Sequence, residues 1–337
     1  MNHTFRGCFL IAATAACTAA FAQPTYSNLY VFGDSLSDVG NDLLVTGGAV
    51  PTASYYTDGS ATGRFTNGLS YADHLAAGLG LSLTASLTGG TDYAYGGARL
   101  NTVNAGLPPT ALSFNQQLAS YETTHAQADP NALYVLWIGA NDMSDAILAR
   151  AGGDTTAIPT AIGVTTQGIA GAIQALAASG ATHFLVPNLP DLSLTPAARS
   201  FGSAQLSALA HGASVGFNAA LAGTLAPLEA AGTLDIRSFD VLGLQTTVTN
   251  NPGAYGFSDV SAACYTGEVD GTARPAGGPA PTVCASPGSY MYWDYEHPTA
   301  ALHVLLGEAA LAAAVPEPAT WLMMALGLGG LLLRRRR

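Results

Sequence analysis

The chain has 337 residues, 49% of them hydrophobic and only 10% charged, with a mean hydropathy of +0.27 and a formal net charge of −11. That is enough apolar material for a large buried core, and it excludes a disordered chain. Every basic residue is Arg; beyond Arg6 and the terminal run Arg334 to Arg337, six Arg face 22 acidic residues, which argues against nucleic acid as a partner.

The first 22 residues carry Arg6, the apolar run CFLIAATAACTAAFA, and Ala20-Phe21-Ala22 ahead of Gln23. This is the pattern of a secretory signal peptide with an A-x-A cleavage site, so residues 1–22 are expected to be removed on export. Cys17 raises a lipoprotein alternative, but Thr14-Ala15-Ala16 lacks the Leu usual before such a cysteine.

From Gln23 to about Ala314 no linker, repeat or charge run interrupts the chain, so one domain over 23–314 is expected. Strand-like runs at Leu29–Phe32, Leu133–Ile138, His183–Val186 and Asp235–Phe239 alternate with Ala-rich helical stretches such as AIGVTTQGIAGAIQALAASG and SAQLSALAHGASVGFNAALAGTLAPLEAAG. Alternation of this kind predicts a central parallel sheet with both faces covered, a three-layer α/β/α sandwich. Ligands of open α/β sheets sit outside the carboxyl ends of the strands, so chemistry is expected in the loops that follow these runs.

Taken in order, VFGDSLSDVGN supplies Ser35, TDYAYGGARL a Gly pair, VLWIGANDM supplies Asn141, and YWDYEHPTAALH supplies Asp294 and His297. Each alone reads equally well as a turn or a helix cap. Together they provide a hydroxyl, a base, an orienting carboxylate and donors for an oxyanion, the parts of an acyl-transfer site. Pro298 biases His297 away from helical geometry and suits the first turn of a helix PTAALHVLLGEAALAAA. His297 is therefore expected in a loop at a helix entrance, with Asp294 in the same tight turn.

Residues 251–290 are rich in Gly, Pro and aromatics and read as one long loop. Cys264 and Cys284 are the pair left after the signal, which in an exported chain predicts one disulfide closing a loop of about 20 residues, worth roughly 3 kcal/mol.

On these residues the chain resembles the GDSL-type, or SGNH, hydrolases. Gly33-Asp34-Ser35-Leu36 reproduces the name motif, Gly139-Ala140-Asn141-Asp142 stands where that family has its oxyanion asparagine, and Asp294-x-x-His297 matches its closing block. The family's glycine maps to Gly97, with Gly96 as a one-residue alternative, and GRFTNG from Gly63 and VPNLPDLSLTP from Val186 look like its bacterial lipases, phospholipases and hemolysin-like esterases. The resemblance spans roughly Leu29 to His303 and implies a flavodoxin-like fold. It implies Ser35, His297 and Asp294 as catalytic residues, the Ser35 and Gly97 N–H groups with Asn141 as the oxyanion hole, and no cofactor.

Other motifs carry less. GASVG around Ser214 fits a nucleophile-elbow pattern but sits in a helical stretch without the strand the motif needs. Asp34, Asp38, Asn41 and Asp42 suggest a calcium loop only until Leu36, which occupies a ligand position. His74, His125, His183 and His211 lack ligand spacing, so no metal is expected, and His303 reads as a helix-surface residue or a partner behind the site. Tyr55, Tyr56, Tyr95, Trp137, Tyr255, Phe257, Tyr290, Tyr292 and Trp293 are divided between core packing and the lining of an acyl pocket.

The segment VPEPATWLMMALGLGGLLLRRRR joins a Pro-Glu-Pro turn, an apolar stretch from Trp321 to Leu333 somewhat short for a membrane span, and a cationic stop. It resembles the PEP-CTERM sorting signal of Gram-negative bacteria, which implies for 315–337 transient membrane association, an exosortase-type processing partner, and a destination in the periplasm, cell surface or extracellular matrix. A permanent anchor is the alternative. The expected function is an exported serine esterase or lipase acting on a small-molecule or lipid ester. A polysaccharide O-deacetylase of the same fold and a non-catalytic surface or matrix binding protein are the alternatives.

Overall fold

A computed structural model describes residues 26–104, 108 and 110–315. The expected signal peptide, 1–22, and the sorting segment beyond residue 315 lie outside the described residues. In chain order the described residues form β1 (Leu29–Gly33), α1 (Asn41–Val45), α2 (Tyr71–Gly78), α3 (Phe114–Thr124), β2 (Leu133–Trp137), α4 (Ala140–Ala151), α5 (Ala157–Ser179), β3 (His183–Pro187), α6 (Pro196–Ser200), α7 (Ala204–Ala230), β4 (Asp235–Phe239), α8 (Val241–Asn250), β5 (Asp259–Ala263), β6 (Tyr290–Tyr292) and α9 (Ala300–Ala314).

The four expected strands form one parallel sheet in the order β1-β2-β3-β4, with Leu29 opposite Leu133 and His183 opposite both Leu133 and Asp235. β1 and β2 are buried at every position, as continuous apolar runs in a covered parallel sheet should be, whereas the edge strand β4 is only part-buried. Beyond β1 a further short parallel pairing is made by residues 91–93: the Val31 N–H donates to Thr91 O at 3.1 Å and the Tyr93 N–H to Val31 O at 2.7 Å. Numbered along the chain, the order across the sheet becomes 2-1-3-4-5. Chain direction across the sheet therefore reverses between β1 and β2, and their carboxyl ends open the crevice in which such folds bind ligands.

Alternation along the strands divides the core in two. Tyr30, Phe32, Tyr134, Leu136, Phe184 and Val186 face α3, α4, α5 and α7, while Leu29, Val31, Leu133, Val135, Trp137 and Leu185 face α2, α8 and α9. The arrangement is the three-layer α/β/α sandwich with a central parallel sheet.

Three local expectations need correction. The segment 251–290 is not one long loop: β5, a part-buried DVSAA without a continuous bulky apolar run, pairs in parallel with β6 at its end. α9 begins after Thr299, whose hydroxyl caps it by accepting the Leu302 N–H, so Pro298 precedes the helix rather than opening it. His303 is not on the surface: it is 2% exposed, and its Nδ1 accepts the Tyr71 N–H at 3.0 Å, satisfying a donor left free in the first turn of α2. Burial pushes the His303 pKa down to about 3.

Candidate active site

Ser35 stands two residues past the carboxyl end of β1. The chain must leave the sheet there, and Gly33 permits it, since a Cβ at that position would lie 2.4 Å from Trp137 O of β2. The buried Gln117 of α3 clamps the same point, accepting the Gly33 N–H at 2.9 Å and donating to its carbonyl at 2.8 Å. Asp34 then folds back, its Oδ1 accepting the Leu36 N–H at 3.0 Å and its carbonyl accepting from Ser37 and Asp38. A tight turn results, and Ser35 is left partly exposed at its head. Burial pushes the Asp34 carboxyl up to about 7.

From the far end of the sequence His297 arrives opposite Ser35, with Nε2 and Oγ 2.8 Å apart. Its Nδ1 lies 2.7 Å from Asp294 Oδ2, and Asp294 Oδ1 accepts the backbone N–H groups of Glu296 and His297 at 2.8 and 2.7 Å. An ionised carboxylate only accepts, so Nδ1 carries the ring proton and Nε2 is the acceptor facing the serine hydroxyl. Burial opposes ionisation of Asp294, but the charge of His297 and the hydrogen bonds from His297 and Tyr56 outweigh it and hold its pKa below the usual carboxylate range. Burial likewise works against a charged His297, and Asp294 overcomes it, so the imidazole pKa is raised above 6.5.

The GRFTNG stretch braces this segment. Thr66 Oγ1 donates to Pro298 O at 2.8 Å, Asn67 Oδ1 accepts the Ala300 N–H at 2.8 Å, and the Phe65 ring packs 5.3 Å from that of His297. Tyr56, which the sequence placed among rim or core aromatics, donates its hydroxyl to Asp294 Oδ2 at 2.7 Å. Tyr56 and Trp293 pack edge-on and face-on against Tyr265, which follows the bonded pair Cys264–Cys284.

Asn141 opens the second turn of the crevice, just after β2, with Nδ2 donating to Ala98 O at 3.0 Å. That bond ties it to the Gly96-Gly97 loop and leaves its other amide N–H uncommitted. The Gly96 N–H is taken by Asp38 Oδ2 at 3.0 Å, whereas the N–H groups of Gly97 and Ser35 have no acceptor among the described residues. Gly97 takes φ +65°, a left-handed backbone conformation that favours glycine. Arg99 fixes the turn by donating to Gly97 O at 2.7 Å.

Ser35, Asn141, Arg274, Glu296 and His297 form the shared wall of two hollows. One, of about 330 Å³, is apolar, with Ile147, Leu148, Leu206, Val241 and Leu244 among its lining. The other, of about 450 Å³, is polar and bordered by Asn104, Glu268, Asp270, Arg274 and Glu296. Of the candidate pocket aromatics only Trp137 and Tyr292 line the apolar hollow; Tyr55, Tyr56 and Trp293 belong to the cluster around Tyr265. Ser214 lies inside α7, bonded to Ala210 O and the Leu192 N–H, with no strand leading into it.

Residues 29–310 match the GDSL-like lipase/acylhydrolase family, and residues 314–337 match the PEP-CTERM protein-sorting motif, which points to export in Gram-negative bacteria. Lipase 1 of Photorhabdus luminescens is 36% identical over 177 residues, covering 52% of this chain but 24% of that protein. A phosphatidylcholine-sterol acyltransferase of Aeromonas hydrophila is 27% identical over 351 aligned positions, covering 90% of this chain and 94% of that one. Among solved structures, an extracellular lipase of Streptomyces rimosus aligns over 86% of this chain and all of its own, at 18% identity and a TM-score of 0.42. With a match across the sheet and both ends of its crevice, the chain belongs to the GDSL-like lipase/acylhydrolase family of carboxylic ester hydrolases.

Proposed function

We propose that the protein is an exported serine esterase that cleaves carboxylic esters through an acyl-enzyme on Ser35. The observation that carries this reading is the unbroken line from Asp294 through His297 to Ser35, at 2.7 and 2.8 Å, between residues 262 positions apart. In the first half-reaction the Ser35 Oγ–H proton passes to His297 Nε2 as Oγ bonds to the ester carbonyl carbon. The resulting oxyanion is held by the Ser35 and Gly97 N–H groups and the free amide N–H of Asn141. Collapse of the intermediate breaks the ester C–O bond, and the departing alkoxide takes the proton from Nε2. Water then attacks the acyl-enzyme by the same route, releasing the acid and restoring Ser35. Export begins with the N-terminal signal, and an exosortase-type enzyme acts on the C-terminal segment, leaving the hydrolase in the periplasm, on the surface or in the matrix.

The test is hydrolysis of p-nitrophenyl butyrate by wild type and Ser35→Ala, together with labelling by a fluorophosphonate. Wild type is expected to turn over and to take one label on Ser35; the variant should do neither while melting as wild type does. Turnover that survives the substitution, or a label on another serine, would overturn the assignment.

A further inference from the structure

The two hollows flanking Ser35 differ in chemistry as well as size, and an ester has two halves to place. The apolar one is about 330 Å³ and enters the body between α4, α7 and α8, through Ile147, Leu206 and Leu244. At about 30 Å³ for each water-sized unit, it has room for a chain of about eleven carbons. Full packing of a flexible chain is not reached, so six to ten is the working range (about half to nine tenths full). An acetyl group would leave most of that apolar wall without a partner, and a palmitoyl chain would overrun it.

The other hollow, about 450 Å³, is bordered by five carboxyl groups, Asp42, Glu268, Asp270, Asp294 and Glu296, against one guanidinium, Arg274, whose charge Glu268 shares at 3.4 Å; Arg274 and Glu296 stand at the boundary with the apolar hollow. The chain as a whole carries a net charge of −11. An anionic group entering there meets repulsion and no free cation among the described residues. Hydroxyl groups meet acceptors on these carboxylates and on Asn104. Beneath them Asp42 borders the same hollow, fully buried, with neither carboxyl oxygen hydrogen-bonded.

We propose that the substrate is an ester of a medium-length acyl chain, about six to ten carbons, with an uncharged, hydroxyl-rich alcohol such as a sugar or polyol, and that anionic alcohol halves are rejected. This rests on the esterase reading above. The acyl chain lies in the apolar hollow, the carbonyl at Ser35, and the alcohol among Glu268, Asp270 and Glu296. A plain polysaccharide O-acetyl ester would use only the second of these.

The experiment compares kcat/KM for octanoyl methyl glucoside and 1-octanoylglycerol 3-phosphate, with p-nitrophenyl octanoate as the reference, in wild type and in the Glu268→Gln/Asp270→Asn double variant. The glucoside is expected to exceed the phosphate ester by about tenfold or more at low salt, with the ratio shrinking several-fold in the variant and in high salt, where exposed charges are screened. A p-nitrophenyl series from acetate to palmitate should peak between six and ten carbons. Equal rates for glucoside and phosphate, a ratio indifferent to both the variant and salt, or a peak at acetate or palmitate overturns the inference while leaving the esterase intact. No hydrolysis of any p-nitrophenyl ester refutes the esterase reading itself.

Discussion

Substituting Tyr56→Phe removes a single hydrogen bond from behind the proposed catalytic line. The Tyr56 hydroxyl reaches Asp294 Oδ2 at 2.7 Å, the oxygen that also faces His297 Nδ1, and all three groups are buried. A hydrogen bond to a charged group contributes about 1.5–3 kcal/mol. Without it the carboxylate concentrates more negative charge on the imidazole, so the His297 pKa, which burial lowers and Asp294 more than restores, rises further. If about a third to a half of the bond's energy distinguishes imidazolium from imidazole, the rise is ~0.5 to 1 unit at 1.36 kcal/mol per unit. The base works as neutral imidazole, so activity is lost as pH falls through this pKa, and the acid limb of kcat/KM moves to higher pH by that amount. The plateau should stay within about tenfold of wild type, because Glu296 and His297 N–H groups still hold the carboxylate. The assay is kcat/KM for p-nitrophenyl butyrate across about pH 5 to 9, with melting temperature followed in parallel. An acid limb that stays in place or moves to lower pH, in a variant that folds, refutes the reasoning.

Asn141→Ala should lower kcat by about 10² to 10³ with the circular dichroism spectrum unchanged, and a wild-type rate would remove Asn141 from the oxyanion hole. Burial, and then the charge of Asp38, push the Asp42 carboxyl from 3.8 up to about 9, so between those values the folded protein keeps a proton that the unfolded chain releases. Stability should therefore fall as pH rises through this window, by at most about 1.4 kcal/mol per pH unit, and Asp42→Asn should flatten that slope in urea melts. Replacing both Cys264 and Cys284 by Ser opens a link spanning 20 positions and should cost about 3 kcal/mol in denaturant melts; an unchanged midpoint would show that the surrounding packing suffices.

Ser35, Asn141, Asp294 and His297 were legible because each follows a strand or precedes a helix in a short, recognisable string. The sheet was legible for a related reason: β1 and β2, buried on both faces, are continuous apolar runs, and even the part-buried edge strand β4 kept its expected bounds, Asp235–Phe239. What could not be read are contacts with no local pattern. Tyr56 meets Asp294 across 238 positions and Gln117 meets Gly33 across 84, and nothing near either residue encodes the partner. His303 was misjudged because polarity on a helix ordinarily means solvent, whereas α9 is packed against α2 and supplies that helix with an acceptor. The choice between Gly96 and Gly97 rested in the sequence on register alone; the bond from the Gly96 N–H to Asp38 leaves only its neighbour with a donor to spare.

The hydrogen bond from the Tyr26 hydroxyl to Ala314 O, at 2.8 Å, brings the first and last described turns of the body together, beside His183 at the start of β3. α9 runs 15 residues, about 22 Å, from the His297 loop to that point. The two ends of the described body thus meet at the pole where the strands begin, while Ser35 stands past the carboxyl end of β1, at the opposite pole, so the site is far along the sheet from both chain ends of the body.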